Sequence, residues 1–267
     1  MTMIKSCGKN DSGVSEAIGF LLIFTMVIVG IGLVTLYGYP ILIEQQVNAD
    51  EKIMEKNMIV LQNDVKSLSY KTVPYKETSL KIGSGALTLY NSSYTPAVST
   101  IDIGICDLVP YVDDFQSGDL RYSSPSAGTD ISLQNGAVVM RQYAQNGSVM
   151  LAEPRWFYDE QTNTIVINLI GFNSTNIMSR TGIGTVQMAM GDTNYTSWEW
   201  AAPAPNLCLV YNTPDPAQDY TIAWDNYFKN SMKMTTPGSP NKYYFPTDTG
   251  RDTRLVVKKY YVNIKSL

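Results

Sequence analysis

From Ala17 to Ile43 the chain runs for 27 residues without a charged side chain, "AIGFLLIFTMVIVGIGLVTLYGYPILI". A helix of that length extends about 40 Å, against about 30 Å of hydrocarbon in a bilayer. A buried helix of a soluble domain rarely goes so far without a polar face, so the run predicts a membrane span with room to tilt. A removable secretory signal fits less well. Its apolar core is about 7 to 15 residues and ends in a small-x-small cleavage site, which "YPILIEQQ" lacks. Lys5 and Lys9 precede the run while Glu44, Asp50 and Glu51 follow it, which predicts an inside N-terminus and an outside C-terminus. Pro40 lacks an N–H and crowds the Leu36 carbonyl, so a kink is expected near the outer end.

The apolar pattern continues past the first charges. Ile43, Val47, Met54, Met58, Leu61, Val65 and Leu68 recur at helical spacing, with Gln46, Asp50, Lys56, Asn63 and Lys66 between them. The helix is expected to reach about Tyr70 and to stop before "TVPYKE", where Pro74 disfavours helical geometry in Val73. Its outer half needs a partner, either the domain that follows or copies of itself.

The remaining residues are polar and rich in Tyr, Asn, Ser and Thr, and they read as short strands and turns. Thr78–Ile82 and Ala86–Tyr90 flank "GSG", and Ile131–Leu133 is separated from "AVVMRQY" by Asn135-Gly136, a strong hairpin signal. Further strands are expected at Val98–Cys106, Val149–Ala152, Thr164–Ile170, Thr185–Met190 and Leu207–Tyr211, with "RLVVKKYYVNIK" closing the fold. "YTIAWDNYFKNSM" predicts a short helix with Ile222, Tyr227 and Phe228 inward. The fold class expected is α+β: a long N-terminal transmembrane and stalk helix followed by a mainly antiparallel, β-sandwich-like extracellular domain.

Chemistry-bearing motifs are sparse. The chain has no histidine, which removes the commonest general base and transition-metal ligand. It shows no phosphate-cradling loop, nucleophile elbow or metal-ligand set, so no enzyme activity and no cofactor are expected. The net charge is −4, and since Lys5, Lys9 and Asp11 make the first thirteen residues +1, the rest carries −5. That balance disfavours nucleic acid as a partner. The acidic residues Asp102, Asp107, Asp113 and Asp114 could seat a hard cation or form a solvated loop. Trp198 and Trp200, one residue apart around Glu199, could face a sugar or form a core-edge pair. Asn91, Asn146, Asn173 and Asn194 head sequons that could carry N-glycans if the domain is outside. Cys106 and Cys208 are either a disulfide or two separate buried thiols, and Cys7 is incidental.

The leader carries a further signal. Lys9, then "NDSG", then "VSEAIG" running directly into the span resembles the class III signal of archaeal type IV pilin-like proteins. The resemblance implies cleavage by a prepilin peptidase between Gly13 and Val14, leaving the apolar segment as the N-terminal helix of the mature protein. Glu16 would become the third mature residue, whereas many pilins place a glutamate fifth. Its carboxylate could pair with the α-amino group freed at Val14, its own or a neighbour's. Alternatively it is a first-turn charge complementing the helix dipole, with Ser15 as cap. "SLKIGSGALTLY", "DISLQNGAVVMRQ" and "TNTIVINLIGFN" are similar to strands of uncharacterised archaeal pilin-like proteins. The expected organisation is a basic leader (1–13), a transmembrane helix (14–43), an amphipathic stalk (44–70) and an extracellular β domain (71–267). The expected role is a cell-surface subunit in filament assembly, adhesion or envelope structure, with the membrane and like subunits as partners. A monomeric anchored module binding a glycan or cation is the first alternative, and a secreted hydrolase the second.

Overall fold

The computed structural model describes residues 12–71, 73–93, 99–144, 147–213 and 219–267, with side chains from Glu16 onward. Lys5, Cys7 and Lys9 of the leader, Val98 and the sequon residue Asn146 lie outside the described residues. The chain divides into two compact units, Met1–Asn48 and Ala49–Leu267.

Helix α1 (Ser12–Leu33) passes through a π turn at Val34–Gly38 into helix α2 (Tyr39–Tyr70). The π turn lies just before Pro40, with the Tyr39 N–H donating to the Val34 carbonyl. Pro40 offers no N–H to the Leu36 carbonyl, and a locally widened helix absorbs that missing bond. Every large apolar side chain from Ile18 to Ile43 is exposed. The helix from Glu16 to Tyr70 is long and apolar enough to cross a membrane. Because α1 already begins at Ser12, Glu16 is not in the first turn and Ser15 is not its cap. Propagating a helix backwards from an apolar run is cheaper than starting one.

In the second unit, Met54, Met58, Leu61, Val65 and Leu68 form the buried stripe of α2, as their spacing requires. The strands that follow are β1 (Tyr75–Tyr90), β2 (Thr100–Ile105), β3 (Val112–Gln116), β4 (Asp119–Ser124), β5 (Thr129–Gln134), β6 (Ala137–Gln142), β7 (Gly147–Ala152), β8 (Phe157–Asp159), β9 (Thr164–Asn173), β10 (Met178–Trp200) and β11 (Leu207–Asn212). Helix α3 (Thr221–Asn226), β12 (Lys242–Tyr244) and β13 (Thr253–Ser266) complete the chain. They build a nine-stranded sheet ordered β7-β6-β5-β4-β1-β10-β13-β9-β8 and a four-stranded sheet ordered β12-β11-β2-β3. The described pairings are antiparallel except that of β13 with β9.

Each face of the large sheet has its own core. On one face Leu80, Leu87, Leu120, Ile131, Val186 and Val262 pack with the α2 stripe. On the other, Ile167, Leu255 and Val257 meet Ile103, Leu209 and Tyr243 of the small sheet and Trp224 of α3. The result is an α+β domain of helix, large sheet and small sheet in layers, so α2 finds its partner within this unit. On β4, β5 and β6 a polar cluster forms in which Asp119 bonds Arg121 and Ser132, and Asp130 takes bonds from Arg141 at 3.2 Å and Tyr143 at 2.7 Å.

The Asn135-Gly136 hairpin forms as expected, both residues having positive φ (48° and 74°) between β5 and β6, the backbone that a type I′ turn requires. "GSG" is not a turn. β1 runs straight through it against β10, with register shifts on either side of Gly83. Gly83 has φ 69°, and a Cβ there would lie 2.6 Å from the Asp50 carboxyl carbon, so the glycine admits the helix side chain at a bulge. In the short helix Tyr227 and Phe228 are buried as expected, but Ile222 is 47% exposed and Trp224 takes the inward place.

Candidate functional site

One end of the nine-stranded sheet presents an uncovered face. On β13 the residues Arg254, Val256, Lys258 and Tyr260 lie at spacing two and share a side, the opposite side from Leu255 and Val257 in the inter-sheet core. The pairing extends this side into rows across neighbouring strands. Asp159, Thr164, Arg254 and Glu199 form one row, and Phe157, Val166, Val256 and Ser197 the next. Asn168, Lys258 and Tyr195 form a third. Tyr70, the last residue of α2, closes the end of the face, and with Glu199 and Ser197 left at the margin the other groups of these rows line an open groove of about 730 Å³.

The groove is basic and aromatic. The Arg155 guanidinium sits 5.1 Å from the Tyr70 ring centre, and the Lys258 ammonium 5.7 Å from that of Tyr195, both within cation–π reach. Among the described residues neither cation has a carboxylate partner, whereas Arg254 pairs with Glu199 at 3.0 Å. The lining carboxylate of Asp159 is occupied by its own turn, accepting from Gln161 N–H at 3.0 Å and Thr162 Oγ1 at 2.7 Å. Those bonds, Thr162 first, hold its pKa below the ordinary range. The Tyr195 hydroxyl is also held below its usual value, first by a hydrogen bond with Ser197 and then by Arg254 and Lys258. Burial pushes the Tyr70 hydroxyl up, opposed by Arg155. Nearby, burial lowers the Lys66 ammonium, and the charge of Arg155 adds to the effect.

The walls are fixed by buried polar pins. Trp156 Nε1 donates to the Asn168 carbonyl at 2.8 Å, and Asn168 Nδ2 donates to the Arg155 carbonyl. Asn163, buried in the turn after β8 with φ 48°, donates to the carbonyls of Asp248 at 2.9 Å and Asp252 at 3.1 Å. Phe157 and Tyr195 stay 47% and 53% exposed, leaving ring surface open on both flanks. The arrangement can bind an anion and stack flat ligand faces. It holds no pair of free carboxylates and no thiol for covalent chemistry.

The residues singled out from sequence lie elsewhere. Trp198 and Trp200 share a side, as their spacing demands, but pack on the inter-sheet core with Tyr111 stacked 4.8 Å from Trp198 and tilted 5.9 Å from Trp200. Their mutual contact surface is taken up by that tyrosine. Of the acidic group, Asp102 accepts the Asp114 N–H at 2.7 Å and Asp107 pairs with Lys242 at 2.6 Å. Among the described residues no three metal-binding side chains come together. Asn91 and Asn173 meet at one sheet end, where Asn91 Nδ2 donates to the Ser174 carbonyl at 3.2 Å and Asn173 accepts from Ser92 at 2.8 Å. Asn194 is exposed on β10, opposite Lys259. Cys106, in the turn just after β2, and Cys208, on the neighbouring β11, are free thiols that hydrogen-bond one another. Glu16 is exposed, while Gly13 and Val14 lie in the backbone of α1.

The groove was missed because Val256 and Tyr260 disguise the alternation of "RLVVKKYYV"; the usable signal was Arg254 and Lys258 at even spacing. A family described as of unknown function, DUF7289, matches residues 13–264. No curated protein and no solved structure matches the chain.

Proposed function

This chain belongs to the DUF7289 family, and from that premise we propose that it is a non-enzymatic, pilin-like cell-surface protein. Its leader is removed between Gly13 and Val14 by a prepilin-type peptidase. Its helix then anchors it in the membrane or in a filament of like subunits, with the β domain outside. The observation that carries this reading is the division of labour along one helix. The stripe from Met54 to Leu68 is buried in the β domain, whereas the side chains from Ile18 to Ile43 are exposed without exception among the large apolar ones. An apolar surface of that extent requires lipid or other helices to cover it.

Mild shearing of intact cells, followed by detection of the protein in the released filaments, tests the assembled form. The basic groove favours a second reading, a monomeric anchored binding module. Retention of the uncleaved monomer in the membrane after shearing would select that reading over the first.

A further inference from the structure

We propose that the groove between the end of α2 and the β8-β9-β13-β10 face binds an acidic, uronate-bearing polysaccharide. The inference stands on the groove alone and is independent of how the chain is anchored.

Charge complementarity comes first. On a chain of net charge −4, Arg155 and Lys258 present cations that have no carboxylate partner among the described residues, on a face where Arg254 is paired with Glu199 and the Asp159 carboxylate is spent on its own turn. A repeated anion is the ligand that such a face attracts. Ring geometry comes second. Phe157 and Tyr195 lie on β8 and β10, three strand spacings apart, about 14 Å, with cationic β13 between them. That span suits a short run of sugar rings, whose flat faces stack on aromatic side chains while carboxylates meet the intervening cations.

A peptide fits less well. The backbone groups of a sheet face are spent in the ladder and leave an incoming main chain without partners. A phosphate-only polymer would use the cations but leave the two rings without a role.

The test is calorimetric titration of the full chain in mild detergent with oligogalacturonate, with a neutral galactan oligosaccharide of equal length and with inorganic polyphosphate. Oligogalacturonate is expected to bind, weakening as salt is raised, and the neutral chain to bind at least tenfold more weakly. Lys258→Glu is expected to weaken uronate binding tenfold or more, and Tyr195→Ala and Phe157→Ala several-fold each, with melting temperatures near that of the wild type. All three side chains are partly exposed, so folding is retained. Absence of uronate binding, equal binding of the neutral chain, or undiminished binding by Lys258→Glu overturns the proposal. So does polyphosphate binding as tight as uronate and indifferent to both ring substitutions, which would reduce the groove to a charged patch.

Discussion

Asn163 and Asp248 are tied to each other in both directions: the Asn163 amide donates to the Asp248 carbonyl at 2.9 Å and accepts from the Asp248 N–H at 3.1 Å. One side chain thus acts as a short piece of sheet ladder between the turn after β8 and the segment leading into β13. Asparagine suits the position twice, because it tolerates the left-handed backbone at φ 48° and carries both a donor and an acceptor.

Asn163→Asp keeps the shape and loses both donors, setting a carboxylate against the carbonyls of Asp248 and Asp252. A loss of about 3 kcal/mol or more is expected from the buried unmatched charge. Asn163→Ala should cost about 2 kcal/mol. Denaturant unfolding of the full chain in mild detergent, followed by tryptophan fluorescence, measures both. Equal stability of wild type and Asn163→Asp would contradict the pinning role.

The outer half of α2 is part of the β domain's core, and substitutions along it should show a face. Met58→Ala, at a fully buried position, is expected to cost about 2 to 5 kcal/mol, and Val60→Ala, at a site 48% exposed, no more than about 0.5 kcal/mol. Gln62→Leu should cost about 1 to 3 kcal/mol, because Gln62 Nε2 serves the carbonyls of Gly136 at 2.8 Å and Glu153 at 3.0 Å. The same unfolding assay separates these values. Equal small effects at 58 and 60 would show that the helix does not pack as described.

Alkaline pH should destabilise the β domain. Burial raises the hydroxyls of Tyr70, Tyr211, Tyr227 and Tyr243, and burial with the Asp130 contact raises Tyr143 to about 12. In the unfolded chain tyrosine ionises near 10. Above that pH the unfolded state has lost protons that the folded state still holds, so stability is full below about pH 10 and falls through 12. Tyrosinate absorbance against pH should show a late fraction that appears only as circular dichroism is lost. Complete ionisation with native circular dichroism intact would contradict this.

Cys106 and Cys208 should be slow nucleophiles with a ready partner. Burial pushes the Cys106 thiol up to about 12 and raises Cys208 as well, so alkylation at pH 8 should be far slower in the native than in the unfolded chain. With excess oxidised glutathione, the two sulfurs should join and two reduced glutathiones leave. The loop so closed holds on the order of 100 residues, worth about 4 to 5 kcal/mol in chain entropy. Mass spectrometry of the unreduced protein and a raised melting temperature check this outcome. A product carrying glutathione on each cysteine would contradict it.

Local patterns were legible wherever one residue period or one turn decided the structure. The uncharged run, the Met54-to-Leu68 stripe and the Asn135-Gly136 hairpin are of this kind. "GSG" was ambiguous because glycines serve turns and bulges alike; the long partner strand β10 and the approach of Asp50 decide for a bulge, and neither is local. The closing strand hid its alternation because it is covered on both faces over part of its length, so Val256 and Tyr260 read as core. The groove depends on the parallel pairing of β13 with β9 and on β8 and β10 flanking them. Apart from Arg254 and Lys258 at even spacing, that assembly of distant segments leaves no mark in any single stretch.

The claim that the apolar helix is the processed anchor of a surface protein is tested most directly at the N-terminus. Protein purified from its native membrane and analysed by intact mass and N-terminal sequencing should begin at Val14, two residues before Glu16. A protein that keeps Met1 and the whole basic leader would contradict the account.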